Sequence, residues 1–387
     1  MLTLNASRSP TGAAKWGALF YLVHWGAVGA FLPFLNVYFV RLGLSGRQIG
    51  LLAALFPLLT LLLAPTLSAL ADRWGRRTGM LQLSLAGVVI SFFFLGRPDT
   101  FAGLIPWMIL LALFRSPVLS LADGLIARLA AEQEVDFGRL RLWGSFGFAT
   151  VAILSGLLWA QVGYRPLFVV TGLLFAPAIW LAGRLEGGGR AAHQAPTPLK
   201  VLAGDAGLLV LLATSWLVGL TLGIAIIFEG IYMHYLGGGG GMIGLFLGLI
   251  GFSELPGMRY SGPLIRRWGG LKTLLLAYTL FGGSFLGYAI SDTPYLLLAF
   301  GVIRGAGFGL FLAGTVRLID ARAPAGWTAT VQSLREAGMF GLAPLLAAPL
   351  AGEVYDRWGP EPVFIIAAAA SGLAVLGLLA AAWKRWV

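Results

Sequence analysis

Long uncharged apolar runs alternate with short charged turns along this chain, and this alternation limits the folds that it can adopt. The run at 16–40 contains no Lys, Arg, Asp or Glu. A helix of about 20 apolar residues crosses the ~30 Å hydrocarbon core of a bilayer. The chain is therefore predicted to be an all-α integral membrane protein with twelve transmembrane helices. The other eleven runs lie at 48–70, 79–97, 101–130, 140–162, 165–183, 206–236, 242–265, 270–290, 294–321, 328–355 and 361–385.

The composition excludes a soluble domain. Hydrophobic residues make up 58% of the chain and charged residues only 11%, which is typical of a membrane protein. The 55 glycines suit helices that approach closely in lipid, where small residues let backbones touch. The chain has no cysteine, which excludes disulfides and thiolate metal ligands.

The second half of the chain repeats the first at an offset of 194 residues. Because one offset holds from the first apolar run of each half to the fifth, we predict two pseudo-symmetric six-helix bundles, at 1–183 and 205–387. The polar segment at 184–204 is predicted to be the linker between them. The aligned stretches include IGLLAALF (49–56) with IGLFLGLI (243–250), and RLWGSFGF (141–148) with REAGMFGL (335–342).

The distribution of Lys and Arg predicts the orientation. Most of the 27 basic residues fall in the termini, the linker and the even-numbered turns. By the positive-inside rule, both termini and the linker are expected to be cytoplasmic in a multi-pass protein of the inner membrane. This distribution also accounts for the net charge of +11, so no nucleic-acid partner is expected. The opposite turns contain Arg41, Arg47, Arg97, Arg165 and Arg357.

The turn between predicted helices 2 and 3, SALADRWGRR at 68–77, resembles the signature Gly-x-x-x-Asp-Arg-x-Gly-Arg-Arg of the major facilitator superfamily. Ser68 replaces the first glycine, and the second copy of the turn has Arg266 where the aspartate would be. The resemblance covers essentially the whole chain and implies alternating access, with the first turn acting as a conformational switch between the halves. The residues that match the signature are Asp72, Arg73, Gly75, Arg76 and Arg77.

A narrower resemblance lies at FGRLRLWG, 137–144. Together with Asp123 it is similar to the lactose permease branch and its phenylpropionate-permease-like relatives, in which an acid late in helix 4 and an arginine early in helix 5 bind substrate. The resemblance implies that Asp123 and Arg141 form the substrate site of the N-terminal half. Both are equally far from the turn near Glu132, so a helical hairpin would place them at one depth. The alternative is a structural ion pair.

Other ionisable residues fall inside predicted spans, where charge is expensive and often marks a transport pathway. Arg115 on helix 4 is predicted to contact substrate. Glu254 and Arg304, both near the midplane, are predicted to pair across the cavity. Glu254 also resembles a helix 8 glutamate that the branch uses in substrate binding and proton coupling. The predicted cavity lining further includes His24 and Asn36 of helix 1, and the alternative for each residue is a structural contact between helices.

Proton coupling requires an acid, and the sequence departs from the branch here. Lactose permease carries a histidine on helix 10 and a carboxylate three residues later, whereas the aligned residues here are Arg304 and Gly307. The coupling carboxylate is therefore expected to be Glu254, Glu229 or Asp123. Arg259, Arg335 and Glu336 are also deep, but the last two are adjacent and point about 100° apart, so they cannot both face one ligand.

These features favour a secondary transporter that carries a sugar, nucleoside or aromatic acid as a proton symporter. The alternative is a proton-coupled efflux antiporter of the same fold. A receptor or enzyme is disfavoured because no nucleophile–base set or metal-ligand spacing is present, and no cofactor or metal is expected. The glycine run at 237–241 lacks the Lys-Ser/Thr of a phosphate-binding loop and is predicted to be a flexible turn. The expected partners are the substrate, protons and lipid, and a monomer is expected.

Overall fold

A computed structural model describes Gly12 and residues 14–185, 204–324 and 327–384. The predicted linker at 184–204 lies almost wholly outside the described residues. We call the side at which the first helix begins and the last helix ends the terminal side. The opposite side of the bundle is called the distal side.

The described residues form twelve membrane helices at the predicted positions, which we number α1 to α12. Ten of them are both long and apolar enough to cross a membrane, α6 is a shorter apolar helix, and α9, with 20 residues, belongs to neither group. The N-terminal set comprises α1 (Ala14–Arg41), α2 (Gly46–Arg73), α3 (Arg77–Leu95), α4 (Phe101–Arg115 and Val118–Glu132), α5 (Phe137–Val162) and α6 (Leu167–Ala182). The C-terminal set comprises α7 (Ala206–Tyr235), α8 (Gly240–Trp268), α9 (Gly270–Ala289), α10 (Pro294–Arg322), α11 (Thr328–Glu336 and Ala343–Trp358) and α12 (Pro360–Trp383).

Two helices are interrupted where a continuous helix was expected. Helix α4 breaks between Arg115 and Val118, because Pro117 has no N–H group to continue the ladder. Helix α11 contains a π-helical stretch, Ala337–Leu342, between its two α-helical segments. Such stretches are rare and often lie at functional sites.

Local sequence chemistry sets the helix ends. Helix α2 begins with a capping box, in which Ser45 accepts from the Gln48 N–H and the Gln48 side chain accepts from the Ser45 N–H. A cap of this kind contributes about 1 kcal/mol. The glycine run between α7 and α8 is only partly a turn, which corrects the prediction for 237–241. Gly237 is in the left-handed region with φ +88°, but α8 already begins at Gly240.

The two halves meet closely on the distal side. A Cβ atom at Gly244 of α8 would clash with the Ala152 carbonyl of α5, and one at Gly50 of α2 would clash with the Ala348 carbonyl of α11. A Cβ atom at Gly230 of α7 would likewise clash with the Pro33 carbonyl of α1. Glycine therefore allows backbone contact at three helix crossings between the halves.

A carboxylate from one half also caps a helix of the other half. Asp356, near the end of α11, accepts from the N–H groups of Gly46 at 2.6 Å and Arg47 at 2.8 Å. These are the first two helical residues of α2, whose N–H groups have no partner within their own helix. Glu353 lies 3.9 Å from Arg47 and 2.6 Å from Arg357. We call Gly46, Arg47, Glu353 and Asp356 the distal latch.

Candidate functional site

Tyr21 of α1 joins the two residues predicted to form the N-terminal site. Its hydroxyl group donates to Oδ1 of Asp123 at 2.6 Å. The guanidinium of Arg141 lies 5.3 Å from the centre of the Tyr21 ring and 4.6 Å from that of Trp25, within the range of cation–π attraction. The site is therefore built from α1, α4 and α5. Tyr21 and Trp25 were not predicted, because aromatic residues on an apolar helix are commonly packing residues.

Arg141 lies in the electrostatic field of carboxylates from both halves. Asp123 is in its own half, whereas Glu254 and Glu336 belong to α8 and α11 of the other half. Within the described residues, none of these carboxylates lies within 4.0 Å of Arg141 in an ion pair. The guanidinium thus keeps donors available between the halves.

Arg304 of α10 forms the centre of the C-terminal cluster. Its Nε atom lies 3.0 Å from Oε1 of Glu229, and its Nη1 atom lies 4.0 Å from Oε1 of Glu254. The Nε–H group is not directed at the Glu229 oxygen, so this contact is an ion pair rather than a hydrogen bond. Tyr288 donates to the same Glu229 oxygen at 3.2 Å. The sequence predicted only the Glu254 partner, and the structure adds Glu229 as the closer one.

The two carboxylates around Arg304 differ in access. The Glu229 side chain is 2% exposed, whereas that of Glu254 is 18% exposed. Glu229 is therefore enclosed by Arg304 and Tyr288. Glu254 is partly exposed and lies midway along α8.

Arg115 occupies the break in α4. It is the last residue of the segment Phe101–Arg115, and its guanidinium lies 5.7 Å from the ring centre of Phe31 and 5.2 Å from that of Phe56. Within the part of the chain that the structure describes, no carboxylate forms an ion pair with it. A cation near a helix C-terminus is favoured by the helix dipole, but that interaction supplies only partial charges.

His24 and Asn36 lie inside the packed interior of the bundle. His24 is 1% exposed, stacked on Phe20 at 5.7 Å and in edge contact with Phe175 at 5.5 Å. Among the described residues, neither ring nitrogen of His24 has a hydrogen-bond partner. Asn36 donates to the Ile227 carbonyl at 3.3 Å, which ties α1 to α7 of the other half.

Arg335 and Glu336 point in different directions, as adjacent helical residues must. The Arg335 side chain is 1% exposed and that of Glu336 is 61% exposed. The Nη2 atom of Arg335 nevertheless lies 3.5 Å from Oε1 of Glu336. The Nε and Nη1 atoms of Arg335 have no partner among the described residues. Arg259, the remaining deep arginine, is exposed.

The charged turn between α2 and α3 closes on itself. Asp72 accepts a hydrogen bond from Nε of Arg77, and Gly75 has φ +64°. Arg73 and Arg76 are exposed. One turn earlier on α2, Ser68 forms a 2.9 Å hydrogen bond with Ser120 of α4. Among the described residues, no group of three or more His, Cys, Asp or Glu side chains could hold a metal ion.

Residues 16–366 match the sequence model of the MFS_1 like family. The chain belongs to this family. Maltose permease from Geobacillus stearothermophilus is 30% identical over 381 residues, which cover 95% of this chain and 96% of that protein. The probable 3-phenylpropionic acid transporter of Escherichia coli (strain K12) is 33% identical over 151 residues, 38% of each chain.

A solved structure has the same fold. A mutant of the nucleoside transporter NupG superimposes with a TM-score of 0.81 at 17% identity, over 95% of this chain and 99% of that one. The protein therefore has the all-α fold of the major facilitator superfamily, as the turn at 68–77 predicted. It is a membrane transporter, and transporters of this family are not enzymes.

Proposed function

We propose that this MFS_1 like protein is a secondary active transporter that moves a small polar organic solute by alternating access, as a proton symporter. The observation that carries this proposal is the set of charged residues from both halves within the membrane helices, beside an inter-half contact on the distal side. Ionisable groups at this depth are expensive and usually lie on a substrate or ion pathway. Binding sites at the midplane between related bundles are typical of such transporters.

The substrate would bind between Tyr21, Asp123 and Arg141 on one side and Glu254 on the other. Arginine forks and carboxylates form paired hydrogen bonds with hydroxyl or carboxyl groups, and Trp25 offers an aromatic ring beside Arg141. A solute that contacts both halves would draw the two halves together around it. We therefore assign substrate contact to Tyr21, Asp123, Arg141 and Glu254, with Arg115 and Arg304 nearby. His24 and Asn36 would hold α1 in position beside the site.

Glu254 is the proposed proton carrier. Its side chain is more exposed than that of Glu229, and it lies at the edge of the Arg304 cluster. A change of state that moved Arg304 away would weaken the positive field at Glu254 and favour its protonation. Glu229 and Asp123 are the other candidates, but each already accepts a hydrogen bond from a tyrosine.

The rocking of the two bundles would alternate two contacts. The distal latch would open as the turn containing Asp72 and Arg77 closes against the other half. We further propose division at 1–183 and 205–387, cytoplasmic termini in an inner membrane, and a monomer as the working unit. The substrate classes that the relatives support are sugars, nucleosides and aromatic acids.

Flux into proteoliposomes tests the proposal. Purified protein is reconstituted, a pH gradient is imposed, and uptake of labelled maltose, uridine and 3-phenylpropionate is followed with and without a protonophore. Symport predicts that one solute moves in the same direction as the protons and accumulates in the compartment that they enter, and that the protonophore abolishes this accumulation. Movement against the proton flow would instead identify the alternative, an efflux antiporter.

A further inference from the structure

Arg115 differs from every other inward-facing arginine of the cluster in its electrostatic surroundings. Arg304 has Glu229 and Glu254 within 4.0 Å, and Arg141 lies in the field of Asp123, Glu254 and Glu336. No carboxylate of the described residues forms an ion pair with Arg115 within 4.0 Å, and its guanidinium lies over the rings of Phe31 and Phe56. An uncompensated cation in the membrane interior is costly, so this residue is kept at a cost to the fold.

The other half shows that packing does not require a large side chain at this position. The residue that corresponds to Arg115 at the 194-residue offset is Gly309 of α10. A Cβ atom at Gly309 would clash with the Glu254 carbonyl, so α8 and α10 make backbone contact there. In the N-terminal half, the crossing of α2 and α4 is instead filled by Arg115 and Phe56.

The side chain of Arg115 points toward the interior of the bundle. It lies over Phe31, a fully buried residue of α1, and over Phe56, which lies near the middle of α2. Tyr21, which contacts Asp123 and Arg141, also lies on α1. Arg115 and the Asp123–Arg141 site therefore contact the same helix. The residue is partly exposed, so it is not sealed inside the packed core.

We infer that Arg115 binds the carboxylate of the transported solute, and that the solute class is a small monocarboxylate with an apolar, aromatic body. This inference rests on the transport function proposed above. The carboxylate supplies the charge that Arg115 lacks, and an arginine fork accepts it with two parallel hydrogen bonds. The rings of Phe31 and Phe56 provide an apolar surface beside the charged group.

The charges of the site agree with this solute class. Arg115, Arg141 and Arg304 balance Asp123, Glu229 and Glu254 when all six are ionised. Loading one proton on Glu254 and one carboxylate on Arg115 leaves that balance unchanged, whereas a neutral sugar with a proton would add one positive charge. The proton moves from the aqueous phase to the Glu254 carboxylate, and no covalent bond of the solute is changed.

Calorimetric binding to purified full-length protein tests the inference. The probes are 3-phenylpropionate and benzoate, their neutral counterparts 3-phenylpropanol and benzyl alcohol, and maltose. The parent should bind a carboxylate at least ten-fold more tightly than its alcohol. Arg115→Gln should lose at least ten-fold in carboxylate affinity, and Arg115→Lys should retain part of it. The control is Arg165→Gln, which removes an exposed arginine on the distal side and should not change affinity.

Two results would overturn the inference while leaving the transport proposal intact. One is binding of maltose but of no carboxylate. The other is carboxylate binding that Arg115→Gln leaves unchanged, provided that the variant elutes as a monodisperse species with the parent's melting temperature. If Arg115→Gln does not fold, Arg115→Lys serves as the test, because its retained charge predicts weakened rather than unchanged affinity. Failure of flux for every solute in the proteoliposome assay would remove the transport proposal as well.

Discussion

The two halves of this duplicated chain place their deep arginines in different environments. In the C-terminal half, Arg304 is held by Glu229 and Glu254 and is enclosed. In the N-terminal half, Arg115 and Arg141 lie over aromatic rings, without an ion pair within 4.0 Å in the described ranges. The C-terminal half satisfies its cation internally. The N-terminal half presents cations whose donors remain available.

Alignment of the two halves at the offset of 194 residues shows this difference at individual positions. Arg141 corresponds to Arg335 and Asp123 to Arg317. Arg335 is buried beside its neighbour Glu336, and Arg317 donates to Ser261 of α8 at 2.7 Å. The same backbone framework thus places the proposed ligand site in one half and, at the equivalent positions of the other half, a contact with the neighbouring residue Glu336 and a contact between α10 and α8. The shared fold of the two halves does not give the C-terminal half an equivalent site, because the site depends on side chains that the two halves do not have in common.

The largest expected effect concerns the coupling carboxylate. Glu254→Gln should abolish accumulation driven by a pH gradient yet preserve exchange of labelled for unlabelled solute, because exchange requires no net proton release. Counterflow and gradient-driven uptake are measured on the same proteoliposomes. Asp205→Asn, at the start of α7, removes a carboxylate outside the cluster and serves as the control. Normal gradient-driven uptake by Glu254→Gln would exclude it and direct attention to Glu229.

The enclosed pair of the C-terminal half should matter most for stability. Arg304→Gln leaves Glu229 buried beside Glu254 without a cation, which should destabilise the protein by about 3 to 5 kcal/mol. The double variant Glu229→Gln, Arg304→Gln removes both charges and should regain part of that loss. Thermal unfolding in detergent measures both. A single variant as stable as the parent would show that the pair does not hold the C-terminal half together.

A smaller effect is expected at Arg141 in the N-terminal half. Arg141→Lys keeps the charge but loses the planar fork, so solute affinity should fall by about 1 to 3 kcal/mol if the contact is bidentate. Stability should change little, because Arg141 forms no ion pair with the residues that the structure describes. Calorimetry with the solute identified in the flux assay measures the difference. Unchanged affinity would remove Arg141 from the substrate site.

Several features could be predicted from the sequence because they depend on composition and spacing. Apolar run length located the twelve helices to within a few residues, and the motif at 68–77 indicated the superfamily. The partner of Arg304 was only half predicted. Glu254 was inferred from depth, but Glu229 comes from α7, and depth does not specify which faces of two helices meet. Neither Tyr21 nor the π-helical stretch of α11 was indicated by apolar run length, depth or motif.

The smallest expected effects concern the contacts that alternate between the two sides, and the two carboxylates should act in opposite directions. Asp356→Asn weakens two hydrogen bonds of the distal latch, which should favour the form open on the distal side by about 1 kcal/mol. Asp72→Asn should leave the protein folded, because the turn is on the surface, and should favour the form open on the terminal side if the turn joins the halves when that side closes.

Distances between spin labels separate these outcomes. The chain has no cysteine, so label pairs can be introduced directly, at Arg165 and Tyr295 on the distal side and at Glu132 and Trp268 on the terminal side. All four positions are exposed. A comparison of Asp356→Asn with Asp72→Asn should show one side opening as the other closes. Identical distance distributions in the parent and Asp72→Asn would mean that the motif acts only in topology. A shift in the same direction for both variants would mean that the two contacts do not alternate.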